Sequence, residues 1–319
     1  MDRTSNSTKK KARRKGLKTN PRESSSSEKK RLERLAKDPN LDQRIAEAFE
    51  QVGITGEGNS AKLVYVVFTS RLLANPAAVV VRGPSGVGKS QLLNGVASLF
   101  PAGSKIEAMK LTQASLFNVP DDYFRHKILI TGERKHATDD VTRDQNALIR
   151  QLISEKRISR MVSVQDESGW LTKNIIREGP IAYGECTTAD SIFEEDLNRM
   201  LQVFLNDGEQ QTRNVMRATA RSYRPSHAKV DVSSILELHH AFQESLQRHD
   251  IRIPFAEQLA DLLPAEKVES RRIFQQVLTV VEAIALLYQH QRGLQNDCLI
   301  ATLDDYALAR QLLLKPIHA

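Results

Sequence analysis

The sequence predicts an α/β fold, a sheet core followed by a helical C-terminal part. Three observations point to it. The β-branched run Ala77-Ala78-Val79-Val80-Val81 leads into a glycine-rich loop and then into Leu92, Leu93, Val96 and Leu99 at helical spacing. Two further apolar runs, Lys127–Thr131 and Ile181–Thr188, read as buried strands with polar residues at or just beyond their ends. From Val232 onward the pattern is helical, with Ile273, Phe274, Val277, Leu278, Val281, Ile284 and Leu287 forming an apolar stripe.

The chain has 319 residues, room for one large or two modest domains. Its formal charge of +7 is unevenly placed: residues 1–37 hold 14 Lys and Arg against 4 Asp and Glu, a balance of +10, which leaves −3 for the rest. Cys186 and Cys298 stand far apart, which suggests neither a disulfide framework nor a zinc site. No apolar stretch is long enough to span a bilayer, and no apolar segment follows the basic start as in a signal peptide. A cytoplasmic location is therefore expected.

Residues 1–37 have little to bury and are expected to be disordered. Such a run serves either as a nucleic-acid-binding arm or as a solubilising tail, and charge composition does not separate the two. Residues 38–75 should form two helices that pack on the core. The first starts at Asp38 or Asn40 and runs from Leu41 to about Val52, with Ile45, Ala46 and Phe49 on one face. Gly53 and Gly56-Glu57-Gly58 break it, and a second helix from Ala61 to Leu73 presents Leu63, Val66, Val67 and Leu72.

Residues 76–225 carry the chemistry. Gly83-Pro84-Ser85-Gly86-Val87-Gly88-Lys89-Ser90 fits the Walker A pattern at every fixed position, between the strand and the helix that the motif requires. Glycines let the backbone curl its N–H groups onto phosphate oxygens, and the helix that follows directs its positive end to the same place. Lys89 supplies a mobile charge for the outer phosphates, the Ser90 hydroxyl can ligate Mg²⁺, and Gln91 completes the nucleotide-binding segment. The strand Lys127–Thr131 is followed by Gly132 and Glu133. In phosphate-loop ATPases this strand ends in Asp-Glu, the Asp in the Mg²⁺ shell and the Glu on the attacking water. Here Gly132 takes the Asp position and Glu133 alone remains, with Asp139 or Asp140 available to compensate. The bland reading of Glu133 is a solvated strand end.

A helix follows from about Arg143 to Glu155, with Ala147, Leu148, Leu152 and Ile153 at helical spacing. Arg157–Val164, the polar turn Gln165–Gly169 and Trp170–Glu178 then read as a β-hairpin. Its Arg157, Arg160, Lys173 and Arg177, with Trp170 beside the turn, suit a nucleic-acid backbone and a base face; a surface hairpin with solvated charges is the alternative. The third strand ends at Thr187 and Thr188, where a polar side chain can feel the γ-phosphate. Arg199 precedes the apolar stretch Met200–Leu205 and has Glu195 or Asp196 as ion-pair partners in its plain structural use. Residues 226–319 form the expected helical lid. Asn296–Ile300 reads as a short strand or turn, and Thr302 caps the last helix.

Walker A loop, strand-end Glu, helix, basic hairpin, strand ending in Thr-Thr, an Arg and a helical lid follow in that order. In this the chain resembles an AAA+ ATPase with a hairpin inserted before the sensor-1 strand, the mark of the MCM-like helicase clade. It is closest to the ATPase/helicase modules found with DNA primases in bacterial mobile elements. The resemblance covers about 41–315 and rests on GPSGVGKSQLLNGV, YFRHKILITGERK, IRQLISEKRISRMVSVQD, EGPIAYGECTTADSIFEEDLNRMLQVFLND and RRIFQQVLTVVEAIALL. It implies ATP and Mg²⁺ as ligands, with Lys89 and Ser90 on phosphates and metal and Glu133 on the water. Thr187 or Thr188 would stand for the usual sensor-1 Asn. Arg199 would be the arginine finger acting on a neighbour's ATP, and Arg272, with Arg271 as its rival, would be sensor 2. Lys173 and the hairpin arginines would track single-stranded or forked DNA in a ring, expected to be a hexamer.

The chain departs from that family in lacking a fused primase, a zinc-binding cysteine set and the N-terminal DNA-binding domain of MCM helicases. A separate primase or loading partner is therefore expected. The function implied is an ATP-driven DNA translocase or helicase in DNA replication or mobile-element maintenance. The alternative is an ATP-switched DNA-binding clamp or loader with little turnover, which the missing acid at Gly132 permits. A small kinase fits the helical lid poorly, and the GAFTGA loop of transcriptional activators is not found in the sequence.

Overall fold

The run before the glycine loop is a strand covered on both faces. The computed structural model describes residues 21–133, 140–166, 169–188, 198–224 and 231–317. Its first strand, β1 (Ala78–Arg82), sends Val79 and Val81 into one apolar cluster and Ala78 and Val80 into another. A strand buried on both sides carries no polar alternation, hence the continuous apolar run. Before β1 lie α1 (Pro21–Ala36), α2 (Leu41–Gln51) and α3 (Gly58–Thr69); after it come α4 (Lys89–Ser98), β2 (Lys105–Ala108), α5 (Gln113–Phe117), β3 (Lys127–Thr131) and α6 (Asp140–Glu155). Then follow β4 (Arg157–Asp166), β5 (Gly169–Glu178), β6 (Ile181–Thr187), β7 (Leu201–Phe204), α7 (Glu209–Ser222), α8 (Ser233–Ser245), β8 (Asp250–Arg252), α9 (Ala256–Leu262), α10 (Ser270–Leu287), β9 (Cys298–Ile300) and α11 (Leu303–Ile317).

The central sheet has the order β2-β3-β6-β1-β7, and all of its pairs are parallel. Leu92, Leu93 and Val96 of α4 belong to the cluster on one face, Ile149 and Leu152 of α6 to the cluster on the other. The helix after β1 and the helix after β3 thus leave on opposite sides. Between such strands the carboxyl ends open a crevice, the place where open α/β sheets bind ligands.

β4 and β5 form a separate antiparallel ribbon, in register from Arg157 opposite Glu178 to Asp166 opposite Gly169. Strands of ten residues extend about 33 Å. Its base is fastened: Ile158 is buried with Ile149 and Leu152, Arg125 pairs with Glu178, and Arg177 pairs with Asp121 at 2.6 Å.

Two expectations change. The stretch 1–37 is not disordered throughout, because Pro21–Ala36 is helical; residues 1–20 lie outside the described residues. Leu32, Leu35 and Ala36 recur at helical spacing and pack into the main core, which charge counting overlooks. The helices placed in the lid share that same core: Val280, Val281 and Ala283–Leu287 of α10, with Leu312 and Leu313 of α11, join one cluster with Val79, Val81 and α3. The tie is polar as well. The buried Arg71 donates to Gln243 Oε1 of α8 at 2.8 Å, and burial pulls its pKa down to about 10. The short strand or turn expected at Asn296–Ile300 is β9, which pairs in parallel with β8. Thr302 does cap α11, its hydroxyl accepting from the Asp305 N–H at 3.4 Å. Among the described residues no helix is long and apolar enough to cross a membrane.

His239 of α8 is buried beside the Tyr65 ring, and burial, helped by the charge of His240, pushes its pKa down to about 4. The folded chain keeps it neutral, while the unfolded chain takes up a proton near pH 6.5. Stability therefore rises with pH between about 4 and 6.5 and is lost on acidification through that window. Urea unfolding should show His239 contributing about 2 kcal/mol of loss between pH 7.5 and pH 5. His239→Gln should flatten the profile by that amount; an unchanged profile contradicts the assignment.

Candidate functional site

The carboxyl end of β1 runs straight into the loop 83–90. Gly83, Gly86 and Gly88 take φ of 146°, 85° and 104°, conformations closed to residues with a Cβ except under strain. The third of these glycines hands the chain to α4, whose first residue is Lys89. The Lys89 ammonium is buried and donates to the Gly83 carbonyl at 2.7 Å and to the Pro84 carbonyl at 2.8 Å. It lies folded on its own loop, where an entering anion offers a charged partner in place of two neutral ones. Pro84, Ser85 and Gly86 are exposed at the tip, and Val87 donates its N–H to the Pro84 carbonyl at 3.4 Å. Gln91 faces elsewhere: its amide donates to the Gly53 carbonyl at 2.8 Å, tying the loop helix to the turn after α2.

Opposite the loop, the ends of β3 and β6 bring the expected acid and threonine together. Glu133 Oε1 accepts from the Thr188 N–H at 2.7 Å and also from the Thr188 hydroxyl. Of the two threonines, Thr188 is the one that meets Glu133. Thr187 is buried in β6, in register with Arg82. Ser90, Lys89, Glu185 and Glu133 all lie near enough to bear on the Cys186 thiol, whose pKa burial raises to about 11. A thiol so held is protonated and a poor nucleophile.

Gly132 has a steric cause. A Cβ there would lie 2.7 Å from the Met109 carbonyl oxygen, and the Gly132 N–H donates to the Ala108 carbonyl at 3.2 Å. The chain leaving β2 occupies the room that an Asp side chain needs. Asp140 opens α6, and Asp139 lies outside the described residues.

Sequence reasoning missed Glu185. It is 2% exposed and accepts from the Tyr183 hydroxyl at 2.8 Å, which also bonds Thr131 Oγ1 at 2.7 Å. An acid in the middle of the otherwise apolar Ile181–Cys186 was the available signal. The residues fit a phosphate ligand with Mg²⁺: loop N–H groups, an ammonium, a hydroxyl and one exposed carboxylate stand at one sheet edge. Mg²⁺ uses few protein ligands and draws the rest from phosphate and water.

The remaining predicted residues lie away from this edge. Leu201 pairs with Val79, so Arg199 sits at the amino edge of the sheet, roughly 20 Å from its own loop. Its guanidinium donates to Ser154 Oγ at 2.8 Å; Glu195 and Asp196 lie outside the described residues. Arg271 and Arg272 are exposed on the first turn of α10, and no hydrogen bond among the described residues joins them to the loop.

The ribbon divides its charges. Residues opposite one another share a face, so Ile158, Arg160, Ile175, Lys173 and Arg177 lie on one side, Arg157, Met161 and Trp170 on the other. Arg177 is spent at the base on Asp121 and the Phe117 carbonyl. Lys173, Arg157 and Trp170 lie at the surface, Trp170 at 76% exposure. No protein-family model matches the chain, and no curated protein matches it.

Gly132→Asp restores the acid usual in phosphate-loop ATPases, but the Met109 backbone stands in its way. The substitution should lower unfolding free energy by about 1–3 kcal/mol. A Gly132→Asp chain of unchanged stability would remove the steric explanation.

Proposed function

We propose that this chain is an ATPase that works on DNA, a translocase or helicase of AAA+ type assembled as a ring. The observation that carries the reading is the convergence at one sheet edge of the curled loop, Lys89, Ser90 and the Glu133–Thr188 pair. Hydrolysis needs positive charge on the outer phosphates and a base or orienting acid on the water. Lys89 exchanges its two carbonyl partners for phosphate oxygens. Ser90 would hold Mg²⁺ through its hydroxyl. Glu133 orients and deprotonates the water, and Thr188 fixes the carboxylate that does so. Bound Mg²⁺ supplies charge neutralisation at the phosphates. Arg199, too far from its own loop, serves that of a neighbouring copy, which is the reason for a ring. The ribbon, with Lys173 on one face and Trp170 on the other, supplies backbone and base contacts to a DNA strand.

Gly132 favours a second reading, an ATP-switched clamp with little turnover, since the site has one exposed carboxylate where the family has two. Hydrolysis assays separate the readings. With single-stranded DNA present, turnover should rise. Glu133→Gln should reduce it by at least about a hundredfold and Thr188→Ala by about tenfold, ATP binding being kept in both. Wild-type protein that binds DNA only with ATP, yet does not hydrolyse it, is the clamp. Protein that neither binds nor hydrolyses ATP refutes both.

A further inference from the structure

α7 (Glu209–Ser222) follows β7 and so leaves the sheet at its carboxyl edge, away from the ribbon. Its root is fixed. Gln211 is buried, and its amide donates to the Thr55 carbonyl at 2.6 Å, on the turn that Gln91 also grips through Gly53. A Cβ at Gly56 would overlap the Gln211 side chain, so the turn makes room for that anchor. Past the root the helix is uncovered: Asn214 and Ala218 are half-buried, and its other described side chains are exposed. On this surface Arg213, Arg217, Arg221 and, just past the helix, Arg224 recur at intervals of four, four and three residues. They form one row, within an arc of about 80° and in steps of about 4.5–6 Å along the axis. Arg213 pairs with Glu209 at 2.5 Å, and no carboxylate among the described residues meets the other three. From Gln210 to Arg224 there is no Asp or Glu, although residues 38–319 as a whole balance at −3.

The row works against the helix that carries it. Like charges four residues apart destabilise a helix. A helix of this length draws its stability from packing, which α7 has only at its root. A line of anions removes the repulsion and supplies the missing contact. We propose that α7 is a second nucleic-acid-binding arm, its arginine row lying along a phosphodiester backbone. Phosphates follow one another in a line, as these guanidinium groups do, and a guanidinium meets a phosphate with paired N–H donors. Tyr223, 84% exposed at the end of the row, offers a ring to a base. A membrane surface fits poorly, because the exposed apolar side chains are Val215, Met216 and Tyr223, short of the continuous apolar face that an interfacial helix buries. The inference goes beyond the ATPase reading: it needs the chain to bind nucleic acid, not to turn over ATP. With α7 and the ribbon at opposite edges of the sheet, the two arms hold separate stretches of backbone.

The test uses the full chain without nucleotide, beside a double variant, Arg217→Gln with Arg221→Gln, in which glutamine keeps the helix propensity. Fluorescence anisotropy with a labelled single-stranded oligonucleotide, and with a duplex of the same length, gives the slope of log affinity against log salt. Loss of two phosphate contacts should make the slope shallower by about 1.4 on the single strand or about 1.8 on the duplex, and the form on which it changes is the one α7 holds. An unchanged slope on both, or a wild-type chain that binds neither, overturns the proposal. So does a variant with unchanged slopes that self-associates less or binds anionic vesicles less, which assigns α7 to a second copy or to a membrane surface. Should the variant fail to fold, hydrogen exchange on the wild-type chain reads the arm by itself: oligonucleotide-dependent protection of residues 212–224 upholds it, and its absence overturns it. ATP turnover is measured on the same samples. A shallower slope in a chain without turnover upholds the arm though the ATPase reading has failed; full turnover with an unchanged slope overturns the arm alone.

Discussion

The parallel pairing of β1 with β6, Arg82 against Thr187, sets the spacing across the site. The loop leaves β1 one residue beyond that pair, and Thr188 leaves β6 one residue beyond it. β3, paired to the other side of β6, then delivers Glu133 to Thr188. A slip of one residue in either pairing would turn every side chain of a strand to the wrong face. The apolar residues on both sides of β1 hold the register. Packing away from the loop thus fixes where Lys89, Glu133 and Thr188 stand.

The molecule has two chemical edges. At the carboxyl edge stand the ammonium, the hydroxyl and the carboxylate; at the amino edge stand Arg160 and Arg199 around a cavity. One chain cannot bring the two together, because the sheet lies between them. The ribbon grows from the amino edge, where β5 leads into β6. Glu185, Tyr183 and Thr131 form a buried polar chain on one face of the sheet, joining β3 to β6.

Much of this was legible in the chain. The strand before the loop, the glycine spacing, the acid at 133, the ribbon and the cap at Thr302 are local patterns, and local patterns are written in consecutive residues. What stayed hidden depends on neighbours distant in sequence. Only the fold shows that Met109 fills the space beside Gly132, that Gln91 is taken by Gly53, or that Thr188 and not Thr187 meets Glu133. The arginines of the ribbon look alike in a string, yet pairing puts Arg157 on one face and Arg160 on the other. Charge likewise masked Leu32 and Leu35, which make Pro21–Ala36 part of the core.

The proposed function requires the curled loop to be a nucleotide site with Lys89 at its centre. Calorimetric titration of Mg-ATP into the wild-type chain and into Lys89→Ala tests it most directly. Binding should saturate at one nucleotide per chain. Lys89→Ala should weaken it by about a hundredfold, the usual size of a lost charge-assisted contact. Absence of binding to the wild-type chain, or binding that does not depend on Lys89, would rule out a nucleotide site at this loop.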